Sequence, residues 1–288
     1  MNAPMTVANS TNIGASLFDS GKITANQVVQ ILHYQKQNKT RFGEAAVALG
    51  FVTDADIRQV LAQQFDYPYL QKGEATNLSE ELVAAYAPFS HEVENLRALR
   101  NQLMLRWLDK EEDVGTTALA IVSAGRGEGR SWLAANLAIV FSQLGEHTLL
   151  VDADLRNPRQ HILFGLDNRE GLSQLLAERA VESTLNKVPK FRDLTVLTAG
   201  PMPPNPQELI CCSTFQSLMN QWQRQYDVVL IDTPAMSQAV DGQSVAGRSR
   251  GALLVARKDH TRLGDLTGLQ EMLEAADAKI VGAVMSQF

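Results

Sequence analysis

The chain has 288 residues, a formal net charge of -6, 45% hydrophobic and 20% charged residues. This is ordinary globular composition with room for two domains, and it argues against a strongly basic nucleic-acid binder, so no nucleic-acid partner is expected. Its two cysteines, Cys211 and Cys212, are neighbours and cannot staple distant segments, which fits a reduced, cytoplasmic setting; the five histidines show no metal-ligand spacing.

Residues 1–11 are small and polar and read as a disordered tail. They lack the basic start and apolar stretch of a signal peptide, and no run in the chain reaches the ~18 apolar residues of a membrane-spanning helix. The longest candidate, Leu133 to Leu144, is interrupted by Asn136, Ser142 and Gln143. From residue 12 to residue 70 the text repeats. Ile13-Gly14-x-x-Leu17-x-x-x-Gly21-x-Ile23-Thr24 returns as Phe42-Gly43-x-x-Ala46-x-x-x-Gly50-x-Val52-Thr53. Each copy predicts a short helix, a glycine stop and a Thr-capped second helix, with Val28, Ile31, Leu32 and Gln35 on one face of the first capped helix. The prediction is a small all-α module ending at Asp66-Tyr67-Pro68-Tyr69, where proline cannot continue a helix. Residues 71–90 read as a polar connector with a short helical stretch near Ser79 to Ala85. Ser90 then caps a helix running to about Leu108, closed by the acidic stretch Asp109 to Asp113, and opens a second domain over 91–288.

From Ala118 onward, apolar β-rich runs alternate with helical stretches, at Ala118–Ser123, Thr148–Asp152, Leu194–Thr198, Val228–Asp232, Ala252–Ala256 and Ile280–Met285. This rhythm predicts an α/β domain with a parallel sheet covered on both faces. Between the first run and its helix lies Ser123-Ala124-Gly125-Arg126-Gly127-Glu128-Gly129-Arg130-Ser131. It follows the pattern of a phosphate-binding loop, G-x-x-x-x-G-K-[ST], read here as A-x-x-x-x-G-R-S. Glycines let successive backbone N–H groups face phosphate oxygens, and Ser131 is placed to ligate Mg²⁺. Asp152 and Asp154 follow at the end of the second run. Being two apart, they share a face in extended chain, suited to holding a magnesium hydration shell or accepting a proton. Asp232 ends the fourth run, the form of a second metal-binding aspartate. A ligand-free glycine turn and solvated strand ends are the bland alternatives for each motif alone; all three in this order are not accidental.

At these residues the stretch from about Ser90 to Phe288 resembles the bacterial tyrosine kinases, built on a P-loop NTPase fold. Val151 to Pro158 is similar to that family's V-D-A-D-x-R-x-P, Ile231 to Pro234 to its I-D-T-P, and Ala199 to Leu209 to its A-G-x-x-P-P-N-P-x-E-L. Glu94-x-x-Arg97-x-x-Arg100 matches its subunit-contact helix, which implies a homo-oligomer. With the N-terminal module included, the match is to the chain-length-determinant subgroup of exopolysaccharide biosynthesis. The resemblance implies ATP and Mg²⁺ as cofactors. It places ATP on Gly125, Arg126, Gly127, Glu128, Gly129, Arg130, Ser131 and Trp132, and Mg²⁺ on Ser131, Asp154 and Asp232. Asp152, Asp154 and Arg130 would be the catalytic groups, with Asp152 orienting or deprotonating a tyrosine hydroxyl. It further implies a membrane polysaccharide co-polymerase as partner, and a cytoplasmic location held at the inner membrane through it.

The pattern breaks in two places. Arg130 stands where the family has lysine, and a guanidinium is a broad planar fork rather than a point charge, so nucleotide binding is a firmer expectation than fast transfer. The family's C-terminal tyrosine cluster is not matched by Ser286-Gln287-Phe288. A second reading is therefore a nucleotide-gated assembly factor with weak or no kinase activity. A partitioning-type ATPase is disfavoured, since Gly125 occupies the place of that group's extra lysine. The N-terminal repeat resembles the N-terminal domain of type II secretion ATPases, some of which bind cyclic di-GMP through R-L-G-x-x-L repeats. Here Asn12 replaces the first arginine while Arg41-Phe42-Gly43 keeps the second, so protein docking is favoured over cyclic di-GMP.

Overall fold

The computed structural model describes residues 13–64, 68–70, 76–108, 118–179, 184–237 and 240–287. The chain divides into two compact units, Met1–Pro68 and Tyr69–Phe288. The tail expected at 1–11, and Tyr67 and Asp109 to Asp113, lie outside the described residues.

The first unit holds α1 (Ile13–Asp19), α2 (Ala25–Asn38), α3 (Phe42–Ala48) and α4 (Asp54–Gln64). The two sequence copies fold alike. Gly21 and Gly50 close the first helix of each at φ +69° and +70°, a left-handed turn that glycine adopts without Cβ strain. Thr24 caps α2 in a reciprocal box with Gln27, and Thr53 Oγ1 accepts from the Asp56 amide at the start of α4. Leu17, Ile23, Ile31, Ala45, Ala46, Val52 and Val60 form the core. Of the face predicted on α2, Ile31 is buried and Val28 partly so, whereas Leu32 stands half exposed.

The second unit runs α5 (Val83–Tyr86), α6 (His91–Leu103, continuing as a π-helical turn over Met104–Leu108), β1 (Ala118–Val122), α7 (Arg130–Ser142), β2 (Thr148–Asp152), α8 (Gln160–Leu163), α9 (Leu172–Leu176) and β3 (Asn186–Lys187). It continues with β4 (Leu194–Leu197), α10 (Pro206–Cys211), α11 (Ser213–Gln225), β5 (Val228–Asp232), α12 (Asp241–Ser249), β6 (Gly251–Arg257), α13 (Leu263–Ala275) and β7 (Lys279–Ser286). The sheet order is β3-β4-β2-β5-β1-β6-β7, parallel apart from the short antiparallel edge β3. Alternation assigns Leu119, Ile121, Leu150 and Leu230 to a core shared with α6 and α7. Ala118, Ala120, Leu149 and Ile231 belong to the opposite core with α11, α12 and α13.

The connector expected at 71–90 is different: residues 76–90 belong to the second unit. Leu82, Ala84 and Ala85 are fully buried. Asn136 of α7, itself fully buried, accepts from the Ala84 amide at 2.9 Å and donates to Glu81 O and Trp132 O at 3.1 and 3.0 Å. Arg159 grips both carboxylate oxygens of Glu81 at 2.7 Å. Main-chain groups bonded to Asn136 and the buried Leu82, Ala84 and Ala85 together hold this strap on the core, an attachment made through residues distant in sequence.

Candidate functional site: a glycine loop above two acidic strand ends

The loop after β1 curls through Gly127 at φ +69° and Gly129 at φ +95°, and Gly129 is the N-cap residue of α7. A loop closing onto a helix N-terminus presents amides and positive potential to an anion. Gly125 is half-buried and a Cβ there would stand 3.0 Å from Glu128 Oε1. Arg126 and Gly127 are exposed, with Arg126 Nη2 donating to Asn157 Oδ1 at 3.1 Å. Glu128 is buried and accepts from Thr261 Oγ1 at 2.6 Å, while Ser286 Oγ donates to Glu128 O at 2.8 Å. The turn after β6 and the end of β7 thereby brace the loop, through Thr261 and Ser286, which no motif singles out. Trp132 packs its side chain on the core with α6 and α7.

Arg130 is buried beneath the loop. Its Nη1 donates to Ser123 Oγ and, at 2.7 Å, to Gly125 O; its Nε donates to Thr233 O at 2.9 Å. Three of five donors thus tie the loop to itself and to the end of β5, and Nη2 has no partner among the described residues. Burial pulls its pKa below the ordinary guanidinium value, offset by the charges of Asp232, Asp154 and Glu128.

Strand register sets the acidic groups. β5 lies between β2 and β1, so Asp152 stands directly beside Asp232. Both are fully buried. Asp152 Oδ1 accepts from the Asp154 amide at 3.2 Å, and Oδ2 accepts from the Arg159 and Gln160 amides at 2.9 Å each. Burial, and then the Asp232 charge, push Asp152 well above the usual carboxylate range. Burial likewise pushes Asp232 up to about 6, against the opposing effects of Arg130 and of hydrogen bonds from Gln160 and Ser131. Asp232 Oδ2 accepts from Gln160 Nε2 at 2.8 Å, and Oδ1 is buried without a partner. Asp154 is 7% exposed, and its Oδ1 accepts from the Arg156 and Asn157 amides at 3.2 and 2.9 Å. Gln160 joins this site without belonging to any motif; its position two residues after Pro158 carries no signal.

The residues fit a magnesium nucleotide. An orphaned carboxylate oxygen, Asp232 Oδ1, lies in a site that also holds the Ser131 hydroxyl and the Asp154 charge. Among the described residues no group of three His, Cys, Asp or Glu side chains forms a metal cage. Mg²⁺ needs none, since it takes most of its ligands from phosphate and water.

Elsewhere, Ser90 caps α6 as expected. Arg97 pairs with Glu94, and Arg100 Nη1 donates to Val140 O on α7 at 3.0 Å. The proline-rich stretch owes its form to close backbone approach: Asn168 exchanges two hydrogen bonds with Gly200 at 2.8 and 3.0 Å, and a Cβ on Gly200 would collide with Gln174 Oε1. In the first unit Arg41 is exposed at the N-cap of α3, and Asn12 lies outside the described residues.

A family model described as cellulose biosynthesis protein BcsQ matches residues 117–273. The putative tyrosine-protein kinase CapB of Staphylococcus aureus is 34% identical over 194 residues, covering 67% of this chain and 83% of that protein. Tyrosine-protein kinase YwqD of Bacillus subtilis is 33% identical over 217 residues, covering 75% and 90%. The solved kinase domain of Escherichia coli tyrosine kinase ETK superposes with a TM-score of 0.67 at 31% identity, covering 72% of this chain and 79% of that one. At this identity and coverage the chain belongs to the bacterial tyrosine-kinase family, on a P-loop ATPase fold.

Proposed function

We propose that the protein is an ATP-binding tyrosine kinase-like regulator of exopolysaccharide chain length and export, acting at the inner membrane with a polysaccharide co-polymerase. The observation that carries the nucleotide part is the partnerless Asp232 Oδ1, buried at the foot of a glycine loop. Relatives named tyrosine-protein kinases support the reaction class. Amides of Gly125 to Trp132 hold the phosphates, and Arg130 adds its remaining Nη2 donors while its other donors keep the loop curled. Ser131, Asp154 and Asp232 hold Mg²⁺, which when bound neutralises the terminal phosphates. Of the two acids at and just past the end of β2, Asp154 suits contact with an incoming tyrosine hydroxyl better than Asp152. Both Asp152 oxygens are committed to main-chain amides, so Asp152 positions the chain around it. Among the described residues no helix is long and apolar enough to cross a membrane, which fits recruitment through a partner.

Purified protein with Mg-ATP and the cytoplasmic segment of a co-polymerase is expected to accumulate phosphotyrosine, and Asp154→Asn to abolish it. ATP binding with no phosphotyrosine under any partner condition would remove the kinase claim. The second reading, a nucleotide-gated assembly factor with weak transfer, rests on Arg130 being engaged by Gly125 O and Thr233 O. It predicts ATP-dependent oligomers through Glu94, Arg97 and Arg100, and unchanged sizing of Arg97→Glu would count against it.

A further inference from the structure

Gln160 is the first residue of α8 and is fully buried. Its side-chain amide nitrogen donates to Asp232 Oδ2 at 2.8 Å and to Ser131 O at 3.1 Å. Its backbone N–H donates to Asp152 Oδ2 at 2.9 Å. One residue outside every motif therefore touches the glycine-loop helix, the end of β2 and the end of β5. Ser131 O can only accept, so the amide must present its NH₂ group to this pair and keep its oxygen on the other side. That oxygen, Gln160 Oε1, is buried with no hydrogen-bond partner, as is Asp232 Oδ1. Two orphaned buried acceptors in one cluster are costly without an occupant, at about 1–3 kcal/mol each. A metal ion on Asp232 Oδ1 would satisfy that oxygen.

We propose that Gln160 is a positioning residue for the cation. Its amide pins Asp232 in one rotamer against Ser131, leaving Asp232 Oδ1 for the ion. The inference rests on the magnesium-nucleotide reading above. A leucine or methionine of similar volume would fill the space and cap Asp152 equally well through its own backbone N–H. The amide itself is what the cation requires.

The test is calorimetric titration of the full chain with ADP, in Mg²⁺ and in EDTA, for the natural protein, Gln160→Met and Gln160→Asn. Asparagine is one methylene too short to span both partners. The natural protein is expected to bind ADP more tightly with Mg²⁺. In both variants that Mg²⁺-dependent gain should fall about tenfold, as for outer partners of metal ligands generally, while affinity in EDTA stays within about twofold. A folded variant that keeps the full gain overturns the proposal. Unfolding of both variants also overturns it, by marking Gln160 as a core residue. If the natural protein binds no ADP in either condition, the nucleotide reading fails and this inference falls with it; binding that is indifferent to Mg²⁺ overturns the inference alone.

Discussion

Arg130→Lys tests what the guanidinium does in the loop. In the natural chain Nε reaches Thr233 O at 2.9 Å while Nη1 reaches Gly125 O at 2.7 Å and Ser123 Oγ. A lysine ammonium has three donors on one atom and cannot span the loop and the end of β5 together. The substitution is expected to remove the Thr233 bond and leave a buried carbonyl unpaired. A hydrogen bond to a charged group is worth about 1.5–3 kcal/mol. For a unit of this size each 1 kcal/mol moves Tm by about 2–4 °C. A loss of about 2 kcal/mol therefore lowers Tm by about 4–8 °C in thermal unfolding without ligand. The same change frees a compact cation for the terminal phosphates, so Mg-ATP turnover is expected to rise as stability falls. Equal Tm for the two proteins would refute the idea that Arg130 ties the loop to β5. Lower Tm with unchanged turnover would show that the guanidinium already serves the phosphates as well as lysine does.

Asn136→Leu keeps the volume of a fully buried side chain but strands the buried Ala84 amide, so the strap over 76–90 should loosen. The expected cost is about 2 kcal/mol, read as a Tm lower by about 4–8 °C and faster proteolysis near Glu81. The raised pKa of Asp232, about 6 against an ordinary 3.8, makes the folded state hold more protons than the unfolded state between those values. Stability without metal should therefore fall as pH rises from about 4 through about 6 and further as Asp152, also raised, ionises, while Mg²⁺-dependent nucleotide binding rises as these carboxylates ionise. In the first unit Lys22, then Thr53, hold Asp56 down at about 2. Its contribution is present above about pH 4 and is lost as pH falls towards 2; Lys22→Met should raise the Asp56 carboxyl titration in ¹³C NMR and cost about 1 kcal/mol or less.

Much of this was legible. The strand runs from Thr148 and Val228 match β2 and β5, and the internal repeat matches two glycine-stopped helix pairs. Periodicity and punctuation carry that information locally. What escaped was held by contacts distant in sequence. The strap at 76–90 is fixed by main-chain bonds to Asn136, 52 residues beyond Ala84, a pairing that no local pattern announces. Asn186–Lys187 forms an edge strand with no apolar pattern, since it pairs on one side and buries little. Gln160 and Thr261 serve the site only because the chain returns them to it, over 72 residues to Asp232 in one case and 133 to Glu128 in the other.

Sheet order explains why the acidic motifs act as one. Along the chain they appear as loop, β2, β5, but in space β5 separates β2 from β1. That insertion puts Asp232 in register with Asp152 on one side and with Ile121, two residues before Ser123, on the other. Two carboxylates side by side in a buried strand end repel and resist ionisation. Without a ligand the fold offsets this with three amides on Asp152, the Gln160 amide and Ser131 hydroxyl on Asp232 and the Arg130 charge, and still leaves Asp232 Oδ1 without a close partner. A divalent cation bound there would supply both the missing partner and the missing charge. The unliganded site is therefore the less stable form, and nucleotide with Mg²⁺ should raise the unfolding temperature of the natural protein more than nucleotide alone. Equal shifts with and without the metal would show that the acidic pair is satisfied within the protein, and the cation would then have no structural reason to bind there.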